Sequence, residues 1–174
     1  EVFHYPEEFF KERIHTIRRP KPDDFQIKEA AELIKKSKKP IIIAGGGVFY
    51  SDATDELSSF ASKHNIPVTQ TVMGYSSIKK DHSHYLGTIG GLGGKAANNL
   101  SKETDTAIAV GTKLADFTTG SWANFENPDF KLVSINAARF DANKHMAQAV
   151  VGDAKVSLME LSQALGNWKA DDIW

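Results

Sequence analysis

Between Gly87 and Gly94 the chain places five glycines, in the order Gly87-Thr-Ile-Gly-Gly-Leu-Gly-Gly94, and then runs into the helix-forming segment Lys95-Ala96-Ala97. Such a join leaves the first backbone N–H groups of a helix uncovered at the positive end of its dipole, a natural seat for a phosphate or carboxylate. A second cluster, Gly45-Gly46-Gly47, follows the apolar run Pro40-Ile-Ile-Ile-Ala44. Two glycine-rich turns in one α/β chain point to a nucleotide-type crevice, occupied or vestigial.

Each turn also has a plainer explanation. Gly45-x-Gly47-x-x-Tyr50 carries the first two glycines of a dinucleotide fingerprint, but Tyr50 stands where a small residue lets helix and strand pack closely, so the fingerprint fails. Gly91-x-Gly93-x-x-Ala96 meets the spacing without following an obvious strand, and suits a tight turn as well as a phosphate cradle. Lys95 and Lys113 are placed to pair with phosphate, although exposed lysines are most often simply solvated. His82 and His84 beside Asp81 lack a third metal ligand at a recognisable spacing, which favours a loop or packing role. Ser121 has no nucleophile-elbow context, and Asp116 suits a helix cap better than a general base. No self-sufficient active site is legible.

The elements that must position these residues follow from hydrophobic periodicity. Asp23 or Asp24 can cap a helix whose Ile27, Ala30, Ala31 and Ile34 share one face. Residues 41–44, 67–72, 106–110, 131–135 and 149–151 read as strands, with helices over 52–63 and 154–165. Strands separated by helical segments predict an α/β fold, a doubly wound, mostly parallel Rossmann-like sheet with helices on both faces. Ligands of such sheets bind outside the carboxyl ends of the strands. The turns at Gly45, Met73-Gly74, Gly111 and Asn136 all follow strands there. The candidate crevice residues are therefore Gly45, Gly46, Gly47, Met73, Gly74, Gly91, Gly93, Lys95, Lys113 and Asn136.

Residues 1–25 read as a linker that packs on something, because Phe3, Tyr5, Phe9 and Phe10 are too apolar for a free tail; residues 26–166 form the domain and 167–174 a tail. With 174 residues, 41% of them hydrophobic, the chain can bury one good core. Its 21 basic and 22 acidic residues are mixed along the chain, a net charge of -1 that offers no footprint for nucleic acid or an anionic membrane. No apolar run reaches the roughly 20 residues of a membrane span, and the N-terminus shows no signal-peptide pattern. The absence of cysteine excludes disulfides, zinc–thiolate sites and cysteine nucleophiles, and fits a cytoplasmic chain. Starting without Met in an aromatic-rich polar stretch, the sequence reads as a piece of something larger.

An ordered series of motifs resembles a known family. Pro67-Val-Thr-Gln-Thr-Val-Met-Gly74, Asp81-His82 through Leu86-Gly87 and Gly90, Ala97-Asn98, Ala109-Val-Gly111, Asp116 with Thr119-Gly120, and Val151-Gly-Asp-Ala154 are similar to the central domain of thiamine-diphosphate-dependent enzymes of the acetohydroxyacid synthase type. The resemblance runs from about Ala30 to Leu165. Within that family, the stretch from Gly111 to Trp122 is most similar to the trihydroxycyclohexanedione hydrolases of bacterial myo-inositol catabolism, which open a cyclic diketone to a deoxyglucuronate with thiamine diphosphate and magnesium.

The resemblance implies a parent with a pyrimidine domain, this central domain and a diphosphate domain, assembled as a homodimer or homotetramer with the cofactor between the outer domains of paired subunits. The family's Gly-Asp-Gly motif and downstream Asn-Asn pair are not reproduced, since Gly152-Asp153 is followed by Ala154 and Asn98-Asn99 lies upstream. The activating glutamate belongs to the pyrimidine domain. The chain alone is therefore expected to bind neither thiamine diphosphate nor magnesium, and to catalyse nothing. Family members that hold FAD in this domain usually show Arg-Phe-Asp-Asp-Arg before the Thr-Gly, where this chain reads Lys113-Leu-Ala-Asp-Phe117. An ammonium cannot reproduce forked guanidinium contacts and a phenyl ring supplies no donor, which argues against FAD. Two alternatives remain open: the central domain of an acetolactate-synthase-like carboligase, and a free-standing nucleotide-binding module.

Overall fold

The computed structural model describes residues 2–172 and 174. A short 3-10 turn at Glu7–Phe10 interrupts an extended N-terminal segment. The body then follows as α1 (Asp24–Lys35), β1 (Pro40–Ala44), α2 (Gly46–Tyr50), α3 (Thr54–His64), β2 (Val68–Gln70), β3 (Tyr85–Thr88), α4 (Lys95–Glu103), β4 (Thr106–Val110), α5 (Asp116–Thr119), β5 (Lys131–Asn136), α6 (Arg139–Ala142), β6 (Gln148–Val151) and α7 (Ala154–Leu165). The six strands form one sheet in the order β3-β2-β1-β4-β5-β6, parallel throughout. The doubly wound order, reversing beside β1, is the one expected of a Rossmann-like domain.

Period-2 alternation divides the core between the two faces. Ile42, Ala44, Val68, Ile108, Val110, Ile135 and Val150 pack with the apolar stripes of α1, α3 and α7. Ile41, Ile43, Ala107, Ala109 and Leu132 pack on the other face with Ile89, Ala97 of α4 and Leu114. Because the central strands are covered on both sides, Ile41, Ile42 and Ile43 are fully buried, each stabilising the fold by roughly 1.5–3 kcal/mol. Asp23 caps α1 through its Oδ1, which accepts from the Phe25 N–H at 2.8 Å, and Asp153 caps α7 in the same way.

Several expectations are corrected. β3 is an additional strand; it pairs with β2, so the glycine-rich run does follow a strand after all. The strand expected over 67–72 ends at Gln70, where Thr71 accepts from the Gly74 N–H at 3.0 Å and starts a 3-10 turn. Tyr50 does not obstruct packing, because α2 is a single short helix that turns this side chain outward to 74% exposure. Asp116 opens α5 without capping it. The segment expected as a tail packs back: His64 Nδ1 donates to the Trp168 carbonyl at 2.7 Å, Ala170 N–H donates to the His64 carbonyl at 2.9 Å, and Trp174 Nε1 donates to the Pro40 carbonyl at 2.6 Å.

Candidate functional site

The turns leaving β1, β2, β4 and β5 meet at the carboxyl edge of the sheet, and their glycines explain how closely. A Cβ added at Gly45 would lie 2.5 Å from the Thr112 Cβ and 2.8 Å from the Gly111 carbonyl carbon, and one at Gly47 would lie 2.6 Å from the Gly111 Cα. Gly46 and Gly74 are pressed in turn against Met73 and against the end of β1. Close approach of neighbouring backbone, rather than of a ligand, is what demands glycine at these positions.

Above these turns lies a crevice of about 930 Å³, within the range of small-molecule sites. Gly46, Gly47, Met73, Lys113 and Asn136 contribute to its wall, together with Thr112, Phe117 and Tyr50. Asn136 fixes the β4 and β5 turns to each other by donating through Nδ2 to the Thr112 carbonyl at 3.2 Å. Lys113 is exposed and forms no ion pair among the described residues. Gly45 and Gly74 lie buried beneath the lining. Gly91, Gly93 and Lys95 fall outside it.

The second glycine turn is self-contained. Gly91 N–H donates to the Phe117 carbonyl at 2.9 Å, Gly93 N–H to Gly90 at 2.8 Å and Gly94 N–H to Thr88 at 2.9 Å. Asn98 clamps the same turn, accepting from the Gly90 N–H at 2.9 Å and donating to its carbonyl at 3.1 Å. The loop amides of Gly90, Gly91, Gly93 and Gly94 are thus already used by the protein, while the first turn of α4 has no side-chain cap. In sequence the clamp shows only as an Asn eight residues after a glycine.

The remaining polar candidates also have structural duties. His82 Nε2 lies 3.1 Å from Ser62 Oγ and His84 Nε2 3.0 Å from Asn65 Oδ1. Burial, helped by the neighbouring His82, holds the His84 pKa below its ordinary value. Among the described residues no cluster of three or more His, Cys, Asp or Glu is arranged to hold a metal ion. Asp153, in the segment that resembles part of a diphosphate motif, accepts from Lys155 and Val156 N–H through Oδ1 and pairs with Arg19 at 3.1 Å through Oδ2. Both oxygens are committed and the residue is buried, so it does not fit a magnesium–diphosphate group.

Comparison with known proteins places the chain. The family model described as thiamine pyrophosphate enzyme, central domain, matches residues 27–161. The chain belongs to this family. It is 45% identical over 165 residues to 3D-(3,5/4)-trihydroxycyclohexane-1,2-dione hydrolase of Clostridium perfringens (strain 13 / Type A), covering 95% of this chain and 26% of that protein. The enzymes of the same name from Clostridium botulinum (strain Alaska E43 / Type E3) and Bacillus cereus (strain ZK / E33L) are 48% and 42% identical over the same coverage. The chain thus spans about a quarter of the length of these relatives. The fold is shared with a thiamin diphosphate-dependent enzyme from Mycobacterium smegmatis, with a TM-score of 0.71 at 21% identity, over 92% of this chain and 31% of that one. It is also shared with benzoylformate decarboxylase from Polynucleobacter necessarius, with a TM-score of 0.69 at 20% identity, over 98% and 31% of the two chains. Among the described residues no helix is long and apolar enough to cross a membrane.

Proposed function

We propose that this central domain belongs to a thiamine-diphosphate-dependent hydrolase that opens the ring of a trihydroxycyclohexane-1,2-dione. The observation that carries the proposal is the 42–48% identity to hydrolases of that name over 95% of the chain. In this reading the cofactor supplies its carbanion chemistry from flanking domains of a homo-oligomeric parent in the cytoplasm, with magnesium held there too. This chain's residues take no part in the covalent steps. Asp153 is spent on capping α7 and anchoring Arg19, and the tight turns at Gly45, Gly74 and Gly111 hold the carboxyl edge rigid as a platform between the catalytic domains.

The test is the reading frame around this sequence and the enzyme it encodes. The flanks should carry a pyrimidine-domain glutamate and a Gly-Asp-Gly motif, and the full-length enzyme should hydrolyse the cyclic dione without forming acetolactate from pyruvate. Acetolactate formation would select the carboligase reading instead, and a reading frame lacking both flanks would select a free-standing module.

The crevice supports a second role beside this one. Lys113 offers a cation, and Met73 and Phe117 offer apolar surface, in a crevice of a size to take an adenine nucleotide. The purified protein should be colourless and show a thermal shift with ADP or ATP. A flavin absorbance band surviving gel filtration, or no shift with any adenine nucleotide, contradicts this role.

A further inference from the structure

Toward the amino ends of β5 and β6, away from the crevice, lies a second cavity of about 710 Å³. Its wall is aromatic. The Trp122 ring lies 6.5 Å from that of Phe130 and 4.4 Å from that of His145, centroid to centroid, and Phe125 backs them by stacking on Phe130 at 4.6 Å. Lys131, Met146 and Gln148 join the lining. A mainly apolar cavity of this size with a few polar groups is suited to a small molecule.

The backbone on both sides of the Trp122–His145 contact is left-handed. Gly120, Ser121 and Trp122 have φ of 60°, 53° and 72°, and His145 and Met146 have φ of 60° and 55°. Only the first of these is glycine, and a Cβ disfavours this region. Thr119 secures the first run, its Oγ1 accepting from the Trp122 N–H at 3.2 Å, and Trp122 is half-buried against the core. Burial does not account for the second run, since His145 is exposed and Met146 is 100% exposed. Backbone strain of this kind gathers where a ligand is clamped.

The polar groups of the cavity are uncommitted. The Trp122 indole N–H, the Lys131 ammonium, the Gln148 amide and the His145 ring have no hydrogen-bond or ion-pair partner among the described residues. No acidic residue lines the cavity. Donors and one positive charge complement an acceptor that carries negative charge, and the rings complement a flat apolar body.

We propose that this cavity binds an aromatic carboxylate, with its ring against Trp122 and Phe130 and its carboxylate on Lys131. The inference rests neither on the hydrolase reading nor on a nucleotide in the crevice. Naphthoate serves as the probe and naphthalenemethanol as its neutral counterpart. Titrated into the 174-residue chain, naphthoate should bind saturably and shift the NMR signal of the Trp122 indole N–H, while those of Trp168 and Trp174 stay in place. Trp122→Phe, which keeps a ring in the wall, identifies that signal. Lys131→Met should weaken naphthoate about tenfold, as expected for a lost hydrogen bond to a charged group, and leave naphthalenemethanol unchanged. Absence of saturation overturns the proposal, as do shifts at Gly46 and Gly47 of the crevice in place of Trp122. Equal weakening of both probes by Lys131→Met overturns it, because the charge then selects nothing. A Trp122 signal that moves when the protein alone is concentrated gives the surface to a second copy and overturns it too.

Discussion

At the amino ends of the strands the chain closes the sheet with its own last residues, whereas at the carboxyl ends tight turns leave a crevice rimmed by exposed Tyr50, Met73 and Phe117. The closed end is knit by polar contacts around His64, which is fully buried with both ring nitrogens engaged, to Trp168 and to Ser162 at 3.0 Å. Asn65 continues the seal, donating to the Ala170 carbonyl and to Asp172. The open end is knit mainly by backbone approach, with Asn136 on the Thr112 carbonyl and Ser77 on the Gly45 carbonyl, and it leaves Tyr50, Met73 and Phe117 exposed.

Variants should separate the two kinds of stabilisation. Gly45→Ala has the largest expected effect: a methyl wedged 2.5 Å from the Thr112 Cβ forces the β1 and β4 turns apart. Urea denaturation should show a loss of about 3 kcal/mol, the upper range for overpacking. At the closed end, His64→Ala removes two hydrogen bonds and leaves a cavity, and should cost about 2 kcal/mol. A null result at Gly45 would mean that the crevice end yields where we describe it as rigid.

The closed end should also be sensitive to acid. Burial lowers the His64 pKa below its ordinary 6.5, the Trp168 carbonyl partly opposes this, and Lys63 and Lys169 reinforce it. The folded state thus holds the proton less readily than the unfolded chain. Stability present above 6.5 is lost progressively as pH falls from there toward the folded-state pKa. Thermal unfolding followed from pH 7.5 to 5 should show this decline, and it should flatten in His64→Gln. The smallest effect is expected at Gly94, which precedes α4 with open space around it and no side-chain cap. Gly94→Ser should gain about 0.3 kcal/mol by supplying the missing cap.

Much of this architecture is legible in local sequence. The stripe Ile27, Ala30, Ala31 and Ile34 reads directly as α1, and Ile41–Ala44 as a strand covered on both faces. β3 is not legible, because Tyr85-Leu-Gly-Thr88 is a half-exposed edge strand with Gly87 at φ 100°, no alternation and a single β-branched residue, Thr88. The duty of Gly45 and Gly47 is hidden for another reason: the backbone that excludes a Cβ belongs to Gly111, which only the fold brings near. For the same reason the spacing at Gly91 and Gly93 suggests a phosphate cradle until the carbonyls of Phe117 and Gly90 are found on those amides. A spacing records which residues are small. What they make room for is a tertiary fact.

The central claim is that this domain positions catalytic neighbours and holds none of the cofactor itself. Isothermal titration of thiamine diphosphate into the 174-residue chain, with and without magnesium, tests it most directly. The account predicts no saturable heat in either case, because Asp153 is committed to α7 and Arg19. Stoichiometric, magnesium-dependent binding that is lost in Asp153→Asn would contradict it.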